Sequence, residues 1–533
     1  MAQINRYRFT QKDDLLVAGH LSLRAGLSAD ALAGNDFLIS ARRGVFNAGL
    51  LQLAQGNDRL EGTSRVEVAD ERMLGIDNHG KIRFGEGDDT LIGDAFTRVS
   101  SRFAAGIYSE ESSLIATGNG RARIFGTGRG NGNRVDGIHG LAVIRTGPDD
   151  DKILGTAEPF DPGSNAAGIY LFGGLTQMRS GNDRIEGRTS GKGIRLWALT
   201  VHGGATVSTG RDRDAVVGIS RINHVAPEAI NGLGNIGVGI HIDEATIKTG
   251  RSGDLVSGTT HGHASRAYGI QMLGLVDTGK GNDEVRGTAI NETLGSNVTI
   301  GLFNYDGGLI LADAGSDVVH GLARSNGENV IGIQNQGLID LGEGDDRIEG
   351  FASATKEGPV YGIANDTKAE ANGSGEIRMG KGNDSLRGEV IGSGKEVAAV
   401  LNRGLIDMGE GDDIIDGLKG GFSGDGLTRL GMGDDTLIGF GSGFFDAGGG
   451  VELDVQKDRL LLSDGVYTIG TTSDQDGYFD LMSDGIVMKI QGFELVGSAS
   501  APDDAIAFLL TSSAVDQNLV TIDGSSISII AVK

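Results

Sequence analysis

Aspartate residues recur at one fixed position of a glycine-rich pattern, G-x-G-[ND]-D-x-[LIV]-x-G. Clear copies are GEGDDTLIG from Gly85, GKGNDEVRG from Gly279, GEGDDRIEG from Gly342 and GEGDDIIDG from Gly409. When each copy forms the same turn of a stacked repeat, neighbouring carboxylates lie ~4.8 Å apart. Two such charges repel by about 1 kcal/mol in water and by about 3.5 kcal/mol at an effective dielectric of about 20. A divalent cation that prefers oxygen ligands removes this repulsion, so the pattern predicts calcium rather than zinc or copper.

The candidate calcium ligands are the key aspartates of eleven copies. Two further copies are not counted as candidates. In one, Arg211 and Arg213 could neutralise the charge of Asp214 in place of an ion. In the other, Ala122 replaces the aspartate. In the alternative interpretation, the pattern is an ion-free turn whose aspartate accepts hydrogen bonds from its own backbone. The eleven candidates are Asp58, Asp89, Asp151, Asp183, Asp254, Asp283, Asp317, Asp346, Asp384, Asp413 and Asp435.

The pattern repeats along most of the chain. From Asp58 to Asp435 there are 12 intervals over 377 residues, a mean of about 31, which is typical of solenoids. An aliphatic residue follows the key position by two residues in every copy and predicts an inward-facing column. The members of this column are Leu60, Leu91, Ile124, Ile153, Ile185, Val216, Val256, Val285, Val319, Ile348, Leu386, Ile415 and Leu437.

Each repeat has room for three short strands. Apolar and polar residues alternate before the turn, as in Ile82-Arg83-Phe84, and a Gly-Ile step such as Gly106-Ile107 predicts another inward-facing strand. A glycine four residues after each key position, such as Gly93, predicts that the strand after the turn is cut short there. These patterns predict an all-β fold, a parallel β-solenoid of about 12 to 13 coils.

The repeat weakens at both ends of the chain. Residues 1–40 are the candidate N-terminal cap, residues 41–444 form the predicted solenoid, and residues 445–533 are predicted to be a β-rich C-terminal cap and secretion domain. Uncovered sheet edges at either end would allow self-association.

Composition narrows the possible partners. The net charge of −25 disfavours nucleic acid and anionic membrane and favours cations. No stretch reaches the roughly 18 apolar residues of a membrane span, so none is predicted. The sequence from Met1 has no apolar run of signal-peptide length, which export by a C-terminal signal would explain.

The copies FGEGDDTLI, with Asp89, and LGEGDDRIE, with Asp346, resemble the RTX or hemolysin-type calcium-binding family, whose nonapeptide is G-G-x-G-x-D-x-U-x. The resemblance implies that Ca²⁺ is held between stacked turns by an aspartate and by backbone carbonyl groups. Here the turns occur once per long coil rather than in tandem, which implies one calcium column. The region from 431 to about 510 is also similar to the terminal regions of RTX proteins, including cyanobacterial ones. This likeness implies one-step type I export by bacteria and an extracellular or cell-surface location.

Two functions are compatible with such a scaffold. The first is a secreted, noncatalytic matrix, adhesion or surface-layer protein stiffened by calcium. The alternative is a carbohydrate-active enzyme, a polysaccharide lyase or uronate epimerase, which would need clustered Tyr, His, Lys, Arg and Asp on one outer face. The sequence shows no such cluster and leaves catalysis uncertain. Ice binding would need regular threonine rows, whereas the series Thr146, Thr209, Thr249 and Thr278 is interrupted and predicted to face inward.

Four arginines stand four residues before the inward aliphatic position of the Gly-Ile strand. On a solenoid they would form one column, a possible ladder for an acidic polysaccharide. The alternative is that they pair with surface acids. The four are Arg72, Arg134, Arg195 and Arg266.

Overall fold

The computed structural model is built almost entirely of β-strands, and among its described residues the only helix is a short 3-10 turn at Ile4–Arg6. The described residues are 2–65, 72–223, 234–294, 297–366, 375–392, 394–448, 457–470, 476–507 and 517–532. They form two compact units, residues 1–280 with 284–298 (unit 1) and residues 281–283 with 299–533 (unit 2).

Unit 1 consists of three ladders of parallel strands, because each coil contributes one strand after the turn, one in the middle and one before the next turn. The post-turn ladder is Leu15–Ala18, Phe37–Ser40, Arg59–Ser64, Thr90–Ser101, Arg123–Gly132, Lys152–Pro159, Arg184–Gly191, Ala215–Ile222, Leu255–Gly262 and Glu284–Asn291. The middle ladder is Ala2–Gln3, Leu21–Leu23, Val45–Asn47, Arg72–Asn78, Phe103–Ser109, Arg134–Gly140, Asn165–Phe172 and Arg195–His202. The pre-turn ladder is Ser28–Asp30, Leu50–Gln55, Lys81–Glu86, Leu114–Ala116, Val143–Arg145, Leu175–Gln177 and Thr206–Ser208, and the long strands Ile236–Lys248 and Arg266–Lys280 continue both of the last two ladders.

Unit 2 has the same three ladders and ends in antiparallel strands. Its post-turn strands are Val318–Ser325, Arg347–Ala354, Ser385–Ile391, Ile414–Lys419, Thr436–Ile438, Arg459–Leu462 and Leu495–Ser498. Its middle strands are Val298–Asn304, Asn329–Asn335, Pro359–Asn365, Glu396–Asn402 and Phe422–Ser423. Its pre-turn strands are Leu309–Ala314, Leu338–Asp340, Glu376–Lys381, Leu405–Glu410, Leu427–Arg429, Gly443–Asp446 and Ile486–Gln491. The remaining strands pair antiparallel and are Gly465–Gly470, Phe479–Ser483, Ala501–Ala507, Gln517–Asp523 and Ser526–Val532.

Each unit is therefore a parallel β-solenoid, as the sequence predicts. The thirteen aliphatic residues of the predicted inward column are at most 3% exposed, and Ile348, Leu386 and Ile415 are completely or almost completely buried. The isoleucines of the Gly-Ile steps, such as Ile107 and Ile333, are also fully buried. Both sets stack in register between coils, so the core consists of columns of like residues.

The prediction that the post-turn strand ends at its glycine is wrong for every copy but the last, in which Thr436–Ile438 ends directly before Gly439. Gly93 lies inside Thr90–Ser101 and Gly350 inside Arg347–Ala354, and both strands continue beyond the glycine. At this point the middle strand of the same coil approaches closely, and a Cβ on Gly93 would overlap the carbonyl oxygen of Gly106. The glycine is needed because there is no space for a side chain between the two strands. We call these closely apposed positions the glycine contact.

Asparagine side chains form a buried ladder that sequence reasoning missed. In unit 2, Nδ2 of Asn304, Asn335 and Asn365 each donates to Oδ1 of the next asparagine, at 2.9 Å, and the last acceptor is Asn402. In unit 1, Asn47 donates to Asn78 in the same way at 2.8 Å. These amides are nearly inaccessible to solvent, and their mutual hydrogen bonds satisfy polar groups within the core.

The ladders extend beyond the predicted 12 to 13 coils. The described residues contribute ten post-turn strands to unit 1 and seven to unit 2. Two of the additional coils escaped the pattern because Ser40 and Leu462 occupy the position of the closing glycine. Strands of residues 1–40 take part in the parallel ladders, and the domain boundaries at 40 and 444 stay a proposal. No helix within the described ranges is long and apolar enough to cross a membrane.

Candidate metal centre

The key aspartates form a buried column in each unit, which we call the aspartate column. The eleven predicted ligands are at most 3% exposed. Oδ1 of one aspartate accepts the backbone N–H of the key residue in the preceding coil, as in Asp58 to Asp89 at 3.0 Å and Asp346 to Asp384 at 2.7 Å. The same bond recurs along both units at 2.7 to 3.0 Å. Each carboxylate therefore caps a neighbouring coil rather than its own backbone.

The second carboxylate oxygen has no partner at most of these positions. Oδ2 is buried and accepts no hydrogen bond at Asp36, Asp58, Asp89, Asp183, Asp317, Asp346, Asp384, Asp413 and Asp435. A buried polar atom without a partner is costly, and an unpaired buried charge is more so. The column therefore needs protons or cations at these oxygens.

Burial is the main reason that the pKa values of these carboxyls are raised. It raises the pKa of Asp89, Asp183, Asp346 and Asp413 to about 8, against the opposing effect of the backbone N–H that each accepts. Neighbouring aspartates add to the increase. At Asp151, Asp214 and Asp254 burial raises the pKa only to about 6, and threonine hydroxyls are among the groups that lower it. These hydroxyls belong to Thr146, Thr209 and Thr249, which face inward as predicted.

A second, exposed column lies one residue earlier in the turn, and Asn or Asp occupies it in most of the coils. Here the side chain of one coil accepts the backbone N–H of the following coil, as in Asp345 to Asn383 at 2.9 Å and Asp412 to Asp434 at 2.9 Å. The hydrogen bonds of the two columns therefore link neighbouring coils in opposite directions. In the aspartate column the N–H comes from the preceding coil, and in the exposed column it comes from the following coil. Paired acids such as Asp345 and Asp346 face different environments, one solvent and the other the interior.

Side chains alone do not make a metal cage. Within the described residues, no three His, Cys, Asp or Glu side chains are arranged to hold a metal ion. The other available donors are backbone carbonyls of the turn glycines. Gly382 and Gly411 have positive φ and stack so closely that a Cβ on Gly411 would overlap the carbonyl oxygen of Gly382. Carboxylate and carbonyl oxygens are the ligands that calcium prefers, so the donor chemistry fits Ca²⁺.

The structure extends the column beyond the predicted ligands. Asp36 accepts the N–H of Asp14, and Asp458 accepts the N–H of Asp435. Oε2 of Glu494 accepts the N–H of Asp458 at 2.8 Å. Asp214, which was set aside, shares this geometry, and Arg211 and Arg213 are exposed. Ala122 interrupts the column, although its N–H still donates to Asp151. A sequence pattern that requires an aspartate two residues before an aliphatic residue, and no closing glycine, would have identified Asp36 and Asp458.

No protein-family model matches this chain, and no curated protein matches it. Among solved structures, the chain is similar to a hyperactive, Ca²⁺-dependent, β-helical antifreeze protein from an Antarctic bacterium. The two are 15% identical, the match covers 81% of each chain, and the TM-score is 0.28. Similarity at this level transfers neither a residue nor a function. The resemblance to RTX repeats therefore depends on the motif residues alone.

Proposed function

We propose that this chain is a noncatalytic structural protein of the extracellular or cell-surface type, stiffened by calcium along the aspartate column. The observation that carries the proposal is the series of buried Oδ2 atoms without partners. The proposed extracellular location is supported by the motif's resemblance to RTX repeats, which are secreted by type I export.

Calcium would stabilise the fold by binding the stacked turns and hardly the unfolded chain. Each site contributes about 2.7 kcal/mol when free calcium exceeds Kd by about 100-fold. A calcium ion that neutralises Asp346 would also remove its repulsion with Asp317 and Asp384. The charges of these two neighbours are among the causes that raise the pKa of Asp346. Because contacts in a solenoid are between neighbours, stabilisation accumulates coil by coil.

The proposal is tested by comparing inner and outer carboxylates of the same turns. In one full-length variant Asp346, Asp413 and Asp435 are replaced by Asn, which keeps an Oδ1 acceptor and removes the charge. In the control variant the exposed Asp345, Asp412 and Asp434 are replaced by Asn. Calorimetry should show about three fewer calcium ions in the inner variant. The increase in melting temperature from chelator to calcium should also shrink there and persist in the control.

An unchanged melting temperature of the wild-type protein on adding calcium would contradict the proposal. The aspartate column would then be an ion-free ladder whose carboxyls are protonated. Equal calcium binding by the inner and outer variants would also contradict it, because the ions would then lie on the exposed surface.

A second candidate, a carbohydrate-active enzyme, is favoured by one cluster on unit 1. Asp136 Oδ2 lies 2.7 Å from Arg134 Nε and 2.7 Å from His139 Nδ1, and Tyr170 stacks on His139. Burial alone would raise the pKa of Asp136, yet Arg134 and His139 hold it below its usual value. Since Asp136 is fully buried and also accepts the N–H of Ala167, it positions its neighbours rather than touching a substrate. Unsaturated products or altered sugar stereochemistry after incubation with uronate polysaccharides would favour the enzyme.

A further inference from the structure

Arginine recurs at every second coil on the outer face of the middle ladder of unit 1. The strand register places Arg72, Phe103, Arg134, Asn165, Arg195, Ile236 and Arg266 in successive coils of one column. We call this set the arginine column. Since coils are ~4.8 Å apart, its cations recur about every 9.6 Å. The sequence predicted the four arginines of this column.

Flat aromatic rings lie directly beneath three of these guanidinium groups. The guanidinium carbon of Arg72 is 4.3 Å from the ring centre of Tyr108, that of Arg134 is 4.0 Å from Tyr170, and that of Arg195 is 5.7 Å from Trp197. The rings themselves stack between coils, with His139 between Tyr108 and Tyr170 at 5.4 and 4.9 Å. The ring faces are therefore covered by guanidinium groups and histidine rings, and this stacking holds the arginine side chains in place.

Small residues open a notch between two of the arginines. Asn165, Ala166 and Ala167 form its floor, and Arg134, Arg195 and Trp197 form its walls, around a cavity of about 100 Å³. Asn165 is exposed, so the notch opens to solvent. The guanidinium groups on either side present fixed arrays of N–H donors, which match the geometry of a carboxylate.

Three of the four arginines lie outside ion-pair distance of the described acids, and of these Arg72 acts electrostatically on Asp77. Arg72, Arg195 and Arg266 are exposed and form no ion pair with the described residues. Arg134 differs, because it pairs with the buried Asp136. Asp136 is not a surface acid, so the alternative that these arginines pair with surface acids applies to none of the four. In a chain with a net charge of −25, a row of available cations marks a place where an external anion is accepted.

We propose that the arginine column binds a linear acidic glycan that carries a carboxylate on every second sugar. One carboxylate enters the notch between Arg134 and Arg195, where the exposed guanidinium group of Arg195 is available to pair with it. The spacing of the cations at two coils, about 9.6 Å, selects a charge on alternate sugars of an extended chain. This site is independent of calcium in the aspartate column.

The only tryptophan of the chain, Trp197, reports directly on the notch. The full-length protein is titrated in chelator with an oligosaccharide that has a uronate at every second sugar, and Trp197 fluorescence is recorded. A sulfated and a neutral oligosaccharide of the same length serve as comparisons. We expect a saturable change with the uronate oligomer, a weaker one with the sulfated oligomer and none with the neutral oligomer.

Variants separate this site from general surface charge. Arg195→Gln should raise Kd at least about tenfold, because charged hydrogen bonds are lost, and Arg195→Lys should give a smaller loss. Arg98 lies 5.6 Å from Phe96 on the other sheet, so Arg98→Gln removes a similar cation–aromatic contact and should leave Kd unchanged. Circular dichroism confirms that each variant is folded. Equal binding of all three oligosaccharides would overturn the proposal, and so would wild-type affinity in Arg195→Gln. Because the titrations are carried out in chelator, either outcome is separate from calcium binding at the aspartate column.

Discussion

The choice of aspartate over asparagine in the buried column has a physical cost. Asparagine would accept the same backbone N–H through its Oδ1, and this chain uses it for that purpose in the exposed column at Asn57 and Asn383. Asparagine also tolerates full burial here, as Asn335 shows. Aspartate adds a charge that burial penalises, so the backbone hydrogen bond alone does not explain it. A cation bound at Oδ2 does.

Stability without calcium should fall as the pH rises from about 4 to about 8. The pKa of Asp89, Asp183, Asp346 and Asp413 is raised by burial from 3.8 to about 8 in the folded chain. The folded state then binds more protons than the unfolded state across this window, and its advantage is lost as the pH passes the folded pKa. Melting temperatures measured in chelator over this range check the sign.

Calcium should reverse this dependence, since it competes with protons for the same oxygens and binds more tightly at higher pH. Calcium addition at pH 7 should release protons, measurable in a weakly buffered solution. A melting temperature in chelator that rises between pH 5 and pH 8 would contradict the assignment of buried, proton-binding carboxylates.

At the level of strands, what the sequence predicts depends on residue type and period. Leu91 and Ile348 identify the inward column because alternation reports burial directly. The role of Gly93 was mistaken because a glycine that ends a strand and one that admits a neighbouring strand look alike in sequence. The ladder through Asn335 was missed because an isolated asparagine is ordinarily a turn residue. Both features depend on contacts between segments that sequence spacing does not encode.

Replacing the closing glycine should destabilise the solenoid. In Gly93→Ala the new Cβ would overlap the backbone oxygen of Gly106, which cannot move without disturbing the middle ladder. Overpacking of this kind costs about 1 to 3 kcal/mol. Gly19→Ala is the control, because Gly19 has no heavy atom within 4 Å of its Cβ position and no positive φ. Denaturant unfolding measures both, and equal stability of the two variants would contradict the glycine contact.

At the scale of the whole chain, the two units share an arrangement of three parallel ladders but carry different residues on their surfaces. Unit 1 has the arginine column, the notch, the gap at Ala122 and two turns with paired acids at Asp89 and Asp151, whereas unit 2 has three such turns at Asp346, Asp413 and Asp435. Because a solenoid is stabilised by contacts between neighbouring coils, such differences can accumulate along the chain without altering the fold. Both units are therefore suited to binding cations along the aspartate column, and unit 1 also has a surface suited to recognising an anionic ligand.

Calcium occupancy should follow this difference. The exposed acids Asp345, Asp412 and Asp434 each hold a backbone N–H, and their charge still makes the turn more attractive to a hard cation. Ala122 supplies no carboxylate, so its turn should bind no ion. The sequence alone predicts a weak site at Asp214 too, but its carboxylate has the geometry of its neighbours, and we expect an ion there.

A crystal structure of the full-length chain grown with calcium, with anomalous scattering recorded, checks this distribution. Ion density should be strongest between about residues 280 and 440 and absent beside Ala122. The reason is electrostatic: paired carboxylates at one turn raise local negative potential, while Arg121 and Arg123 next to Ala122 lower it. Equal density at the turns of Ala122 and Asp346 would show that the backbone carbonyls alone bind the ion. The aspartate column would then need another explanation.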